Sequence, residues 1–228
     1  MKNITRREFV VESALLTGGA IGLIALGNGV LSPQPVRAAK VSFPASSCGV
    51  EKEKGCRVLI AYASCCGSTG EVAEAIGQVM CDSGTAVDVR LAENVRDLSS
   101  YQAAIIGSAI HSSKWLPEAM RFVEDNQKVL SQMPVAYFLT CLTLYKSNDT
   151  TRRIAGSYLD PVLDAVPQVK PVDMGFFAGV LDYGKLSIMV RMIMKSKIKK
   201  KGVPEGDHRN WDAIRSWAEG VSSKILSV

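Results

Sequence analysis

The hydrophobic pattern alternates between short apolar runs and longer segments of helical period. Val58, Leu59, Ile60 and Ala61 form a near-continuous apolar run, the pattern of a strand covered on both faces. A polar turn follows, and then Val72, Ala73, Ala75, Ile76, Val79 and Met80 recur at helical spacing. Thr85 to Leu91 alternates like an edge strand with one wetter face, and Ala103 to Ala109 reads as a third strand running into a loop, Ile110 to Trp115. Pro117 opens a helix reaching about Ser131. Pro134 precedes a fourth strand, Val135 to Thr140, and a polar loop from Cys141 to Asn148. A helix capped by Asp149 or Thr150 ends near Pro167, a fifth strand covers Val172 to Val180, and a last helix runs from Asn210 or Trp211 to Ile225. Five strands alternating with helices predict a doubly wound parallel α/β sheet.

The turn after the first strand is Ser64, Cys65, Cys66, Gly67, Ser68 and Thr69. A helix N-terminus leaves backbone N–H groups unpaired at the positive end of the peptide dipoles, which favours a phosphate. Gly67 permits close backbone approach, and Ser64, Ser68 and Thr69 offer hydroxyl donors. Neither of the two commoner glycine-rich phosphate loops is present, and an ordinary strand-to-helix turn of small residues remains the alternative.

The turn resembles the FMN-phosphate loop of the flavodoxin family, T/S-x-T-G-x-T. It reads Ser64-x-Cys66-Gly67-x-Thr69, and Cys66 replaces a hydroxyl donor with a weak thiol. Further stretches are similar to the menaquinone-dependent protoporphyrinogen oxidase branch of that family. These are Tyr101 to Ile110, Phe122-Val123, Met133 to Phe138, Leu142-Thr143, Met192 to Lys195 and Asn210 to Ile214. The resemblance implies a flavodoxin-like five-stranded sheet of order 2-1-3-4-5, with FMN at the carboxyl ends of strands 1, 3 and 4. Ser64 to Thr69 would then hold the phosphate, and Ile110, His111 and Trp115 would flank the ring from one side. Thr140, Cys141, Leu142, Thr143 and Tyr145 would flank it from the other. Trp115 and Tyr145 have the shape to stack on isoalloxazine, and backbone groups near Ile110 and Leu142 to meet its polar edge. Loop aromatics also commonly cover the local core, and a loop histidine such as His111 commonly faces solvent.

At the N-terminus, Thr5 to Val11 resemble the signature of twin-arginine export signals, with Arg6 and Arg7 as the pair. An apolar, glycine-bearing stretch follows from Ala14 to Leu31, and Val36-Arg37-Ala38 offers small residues for cleavage. A retained membrane anchor is the alternative. The division expected is a signal at 1–38, a polar leader or tether at 39–56, and one flavodoxin-like domain at 57–228. The location implied is periplasmic or otherwise extracytoplasmic, with the translocase as a partner during export.

The chain carries 27 basic and 22 acidic residues, a net +5, of which the first 38 residues hold +2. So mild an excess gives no argument for nucleic acid. Of six cysteines, Cys48 and Cys56 have a disulfide open to them in an oxidising compartment, while Cys81 and Cys141 read as buried thiols. No metal-site spacing is present. Lys185 to Lys201 places Leu186, Met189, Val190, Ile193, Met194 and Ile198 on one helical face with a run of lysines. Such a helix rests either on an anionic membrane surface or on the core.

The function expected is an exported FMN-dependent oxidoreductase passing electrons from a reduced organic substrate to a quinone or a redox protein. An electron carrier without a substrate of its own, or a flavin-free binding module, stands beside it. No catalytic acid or base is assignable.

Overall fold

The computed structural model describes residues 41–49, 56–185 and 202–227. The expected signal (1–38) and most of the basic amphipathic segment (186–201) lie outside the described residues. Strands are β1 (Ser46–Cys48), β2 (Arg57–Ala63), β3 (Ala86–Leu91), β4 (Ala103–His111), β5 (Lys114–Trp115), β6 (Val135–Cys141), β7 (Pro171–Ala178), β8 (Val180–Leu181) and β9 (Gly206–Asp207). Helices are α1 (Ser68–Asp82), α2 (Pro117–Asp125), α3 (Gln127–Leu130), α4 (Asp149–Ser157), α5 (Asp160–Ala165) and α6 (Trp211–Leu226).

The main sheet runs β1-β3-β2-β4-β6-β7, and its five long strands are parallel in the order 2-1-3-4-5. The fold is therefore flavodoxin-like. Val58 to Tyr62 are fully buried, because alternate residues of β2 enter two separate cores. Val58, Ile60 and Tyr62 pack with Val72, Ile76 and Met80 of α1 and with Ile214, Ala218 and Val221 of α6. Leu59, Ala61 and Ala63 pack on the opposite face with Ala119 and Phe122 of α2, Ala155 of α4 and Val162 of α5. Each buried Val, Leu, Ile, Met or Phe among these contributes about 1.5–3 kcal/mol.

Both middle helices that the sequence reads as continuous are broken. Asn126 separates α2 from α3, its side-chain amide donating to the Phe122 carbonyl at 2.8 Å. Tyr158 and Leu159 separate α4 from α5, which restarts with Pro161 in its first turn. The cap of α4 is Asn148, one residue before the expected position, in a reciprocal capping box with Thr151. Asn210 caps α6 by accepting from the Ala213 amide at 3.0 Å.

The 39–56 leader is expected to be a tether, yet Ser46–Cys48 pairs antiparallel with β3 and covers the sheet edge. The wetter face expected of β3 is a charge network around one buried carboxylate, with its two arginines partly exposed. Asp88, 1 % exposed, accepts from Arg57 Nε (2.9 Å), Arg90 Nη2 (3.0 Å), Tyr101 Oη (2.9 Å) and Ser47 Oγ. The cysteine pairing is also corrected. Cys48 is bonded to Cys81, not to Cys56, because the β1 pairing sets Cys48 opposite Val87 and beside the end of α1. Cys56 is half-buried, and burial pushes its thiol pKa up.

Among the described residues no helix is long and apolar enough to cross a membrane.

Candidate functional site

The turn at the end of β2 is shaped by one backbone conformation and one hydroxyl. Gly67 has φ 86°, in the left-handed region, and precedes the first residue of α1. Its amide donates to Ser64 Oγ at 3.0 Å, closing the turn. A Cβ at Gly67 would lie 2.5 Å from the Ser42 carbonyl oxygen, so the N-terminal segment is seated against the loop. Among the described residues no side-chain cap bond is made at the start of α1, and the first amide to bond back along the helix is that of Glu71, to the Gly67 carbonyl at 3.1 Å. The amides of Ser68, Thr69 and Gly70 thus precede the first intrahelical bond.

Thr69 is fully buried, and its Oγ1 lies 2.7 Å from Oγ1 of Thr140 at the end of β6. The first and third predicted loops are therefore in direct contact. Ser64 is buried, Ser68 and Cys66 are half-buried, and Cys65 is exposed.

The second loop is different from its expectation. β4 extends through Ile110 to His111 and returns as β5 in a two-residue hairpin, with Ser112 and Ser113 at φ 52° and 63°. That is the twist a tight hairpin demands of both central residues. His111 is exposed at the tip opposite Lys114, and Ile110, paired with Trp115, is half-buried. Trp115 is 4 % exposed and packs edge-on to Tyr137, with ring centroids 5.4 Å apart. Its expected role as a stacking wall is corrected: the hairpin reverses the chain, and the indole fills the core beneath the sheet.

In the third loop, Cys141 is buried, which pushes its thiol pKa up, and its carbonyl accepts from the Gly179 amide at 3.1 Å. Leu142 is half-buried, Thr143 Oγ1 lies 3.0 Å from the Tyr158 hydroxyl, and Tyr145 is half-buried. The Tyr145 ring meets the imidazole of His208 edge-on at 5.9 Å, and Lys146 Nζ is 5.6 Å from the same ring.

His208 and the adjacent Arg209 come against the third and first loops respectively, contacts that the sequence does not announce. His208 Nε2 donates to the Pro204 carbonyl at 2.9 Å, and its amide to the Gly179 carbonyl at 3.2 Å. Arg209 reaches back to α1, with Nη1 2.7 Å from Glu71 Oε2 and 3.2 Å from the Ser68 carbonyl. Its other edge is held by both oxygens of Asp207, at 2.9 and 2.6 Å. The Arg209 hydrogen bond, with burial opposing it, holds the Asp207 carboxyl below its ordinary range. A polar run Asp207-His208-Arg209 has no periodicity to mark it; its contacts span 138 and 141 positions.

Among the described residues no cluster of three metal-ligating side chains occurs.

A protoporphyrinogen IX dehydrogenase [quinone] of Leishmania major is 24% identical over 184 residues, covering 75% of this chain and 77% of that protein. Among solved structures, a short-chain flavodoxin associated with a non-canonical PDU bacterial microcompartment is 10% identical. It covers 75% of this chain and 99% of its own, with a TM-score of 0.49. Flavodoxin 2 from Bacillus cereus is 19% identical over 74% of this chain and 99% of its own, with a TM-score of 0.46. The family model described as a flavodoxin domain matches residues 59–206, and the chain belongs to that family.

Proposed function

We propose that this chain binds FMN non-covalently at the carboxyl ends of β2 and β6 and works as an exported oxidoreductase. The observation that carries the reading is the uncapped start of α1 beside the left-handed Gly67, with Thr69 held to Thr140 across the sheet. The residues fit a phosphate: three first-turn amides make no bond back along the helix, and two hydroxyls bring two protons, of which their mutual bond uses one. Bound there, FMN supplies hydride and single-electron transfer at its ring, and the protein's part is to hold and tune it. Tyr145 and the His208 beside it are the aromatic groups on the third loop's side of the site. Trp115 is not available for that purpose.

Two further readings are supported from outside the site. The Cys48–Cys81 disulfide suits an oxidising compartment, as does the twin-arginine pattern around Arg6 and Arg7. A quinone acceptor is favoured by the name of the Leishmania major relative, and membrane proximity by the basic stripe at 185–201. A flavodoxin-type carrier is the second reading, favoured by the family itself.

The test is the absorption spectrum of the full chain folded in the cytoplasm, followed by FMN titration of the flavin-stripped protein. Reduction of menadione with a panel of organic donors then separates the two readings. Turnover with one donor favours the oxidoreductase, and flavin reducible only by another redox protein favours the carrier. Absence of flavin and of FMN affinity would falsify both. Replacing Arg6 and Arg7 with Lys should retain the precursor in the cytoplasm, and undisturbed export would refute the signal.

A further inference from the structure

We infer that Arg209 is a positioning residue for the phosphate end of the site: it offsets the charge of Glu71 in the first turn of α1 and pins the Ser68 carbonyl beside the phosphate-facing amides. The inference rests on the FMN reading above and adds to it a charge that the loop motif does not contain.

The problem Arg209 solves is local to α1. An acidic residue in a first turn favours the helix, because it meets the positive end of the peptide dipoles. A phosphate ligand needs that same positive end, and Glu71 would then set one anion against another across a single helical turn. Arg209 offsets that conflict: with Asp207 on its other edge the three groups together carry one negative charge, where the two carboxylates alone would carry two. Its Nη1 lies between Glu71 Oε2 and the Ser68 carbonyl oxygen, at 2.7 and 3.2 Å, so one nitrogen holds the carboxylate and the start of the helix together. Asp207 grips the opposite edge of the guanidinium and thereby aims Nη1 at α1.

The arrangement is built, since the Arg209 side chain is 6 % exposed while those of Glu71 and Asp207 are 42 % and 44 % exposed. A buried guanidinium is costly unless its donors are satisfied. Here its flat face also lies on Trp211, with Cζ 4.3 Å from the ring centroid. A planar fork and a stacked face are properties of arginine that lysine does not reproduce. The segment before α6, which lies beyond the span matched by the family model, thus acts on the loop after β2.

The experiment compares FMN with riboflavin, which lacks the phosphate, as ligands of the purified full chain by fluorescence titration. Arg209→Gln should weaken FMN on the order of tenfold, while riboflavin changes by less than about twofold. Adding Glu71→Gln to Arg209→Gln should recover most of the FMN loss. Arg209→Lys should fall between wild type and Arg209→Gln. Glu71→Gln alone, at a half-exposed position, should tighten FMN severalfold, and it decides the matter if the Arg209 variants do not fold. Equal loss of both ligands, no recovery in the double variant, or an unchanged FMN affinity in Glu71→Gln would overturn the inference and leave the FMN site standing. A wild-type protein that binds no FMN would overturn both.

Discussion

Thr69 Oγ1 and Thr140 Oγ1 lie 2.7 Å apart although 71 positions separate the residues. The bond ties the first turn of α1 to the end of β6, and both side chains are buried. Replacing either by Val strands the other hydroxyl, which costs about 1–3 kcal/mol, whereas replacing both removes the pair without an orphan. The double variant should therefore be less destabilised than the two single effects combined, as read from denaturant midpoints. Strict additivity would mean that the two hydroxyls are not coupled. All three variants should also lose FMN affinity by titration.

Asp88 sets an acid limit on stability. Burial raises its pKa, but hydrogen bonds from Ser47, Tyr101 and Arg57 and the charge of Arg90 more than offset this, and the net shift is downward. A carboxyl depressed in the folded state contributes stability above its unfolded pKa, and that contribution is lost as pH falls through the folded value. Unfolding free energy should therefore decline below the ordinary carboxylate range. Asp88→Asn should cost roughly 2–3 kcal/mol at neutral pH and flatten that acid decline. Parallel pH profiles for the two proteins would refute the assignment.

The Cys48–Cys81 bond closes a segment of 33 positions and holds β1 on the sheet edge. Chain-entropy bookkeeping for a loop of that length gives roughly 4 kcal/mol of stabilisation. Denaturant titration with and without dithiothreitol should show a loss of that order, and non-reducing peptide mapping should recover the Cys48–Cys81 linkage. Coincident midpoints would show that the strand is held by its hydrogen bonds alone.

Alkylation offers a map of the site. Cys65 is exposed within the turn proposed to hold the phosphate, whereas Cys141 is buried with its thiol pKa raised by burial. Cys65 should be modified first and Cys141 last, with the order read by mass spectrometry. Saturating FMN should slow modification at Cys65 and Cys66. Equal rates with and without FMN would place the cofactor elsewhere.

What the sequence determines by itself is whatever rests on local period and on handedness. The apolar run from Val58 to Ala61 and the helical spacing from Val72 to Met80 reflect burial that each element imposes on its own residues. Alternation of the two, with right-handed crossovers, leaves few sheet orders open, and the turn from Ser64 to Thr69 stands out as a candidate phosphate loop by its likeness to a family motif. Tertiary structure alone decided the rest. Ser46–Cys48 has too few residues to show a period and is a strand because the edge of β3 offers it unpaired backbone groups. Cys48 finds Cys81 through that pairing, which no spacing encodes. Trp115 turns inward because Ser112 and Ser113 both adopt left-handed conformations, and nothing in a Ser-Ser pair announces this. Arg209 meets Glu71 only once α6 and α1 share one face of the sheet, since a charge on a loop is specified by its partner and not by its neighbours in the chain.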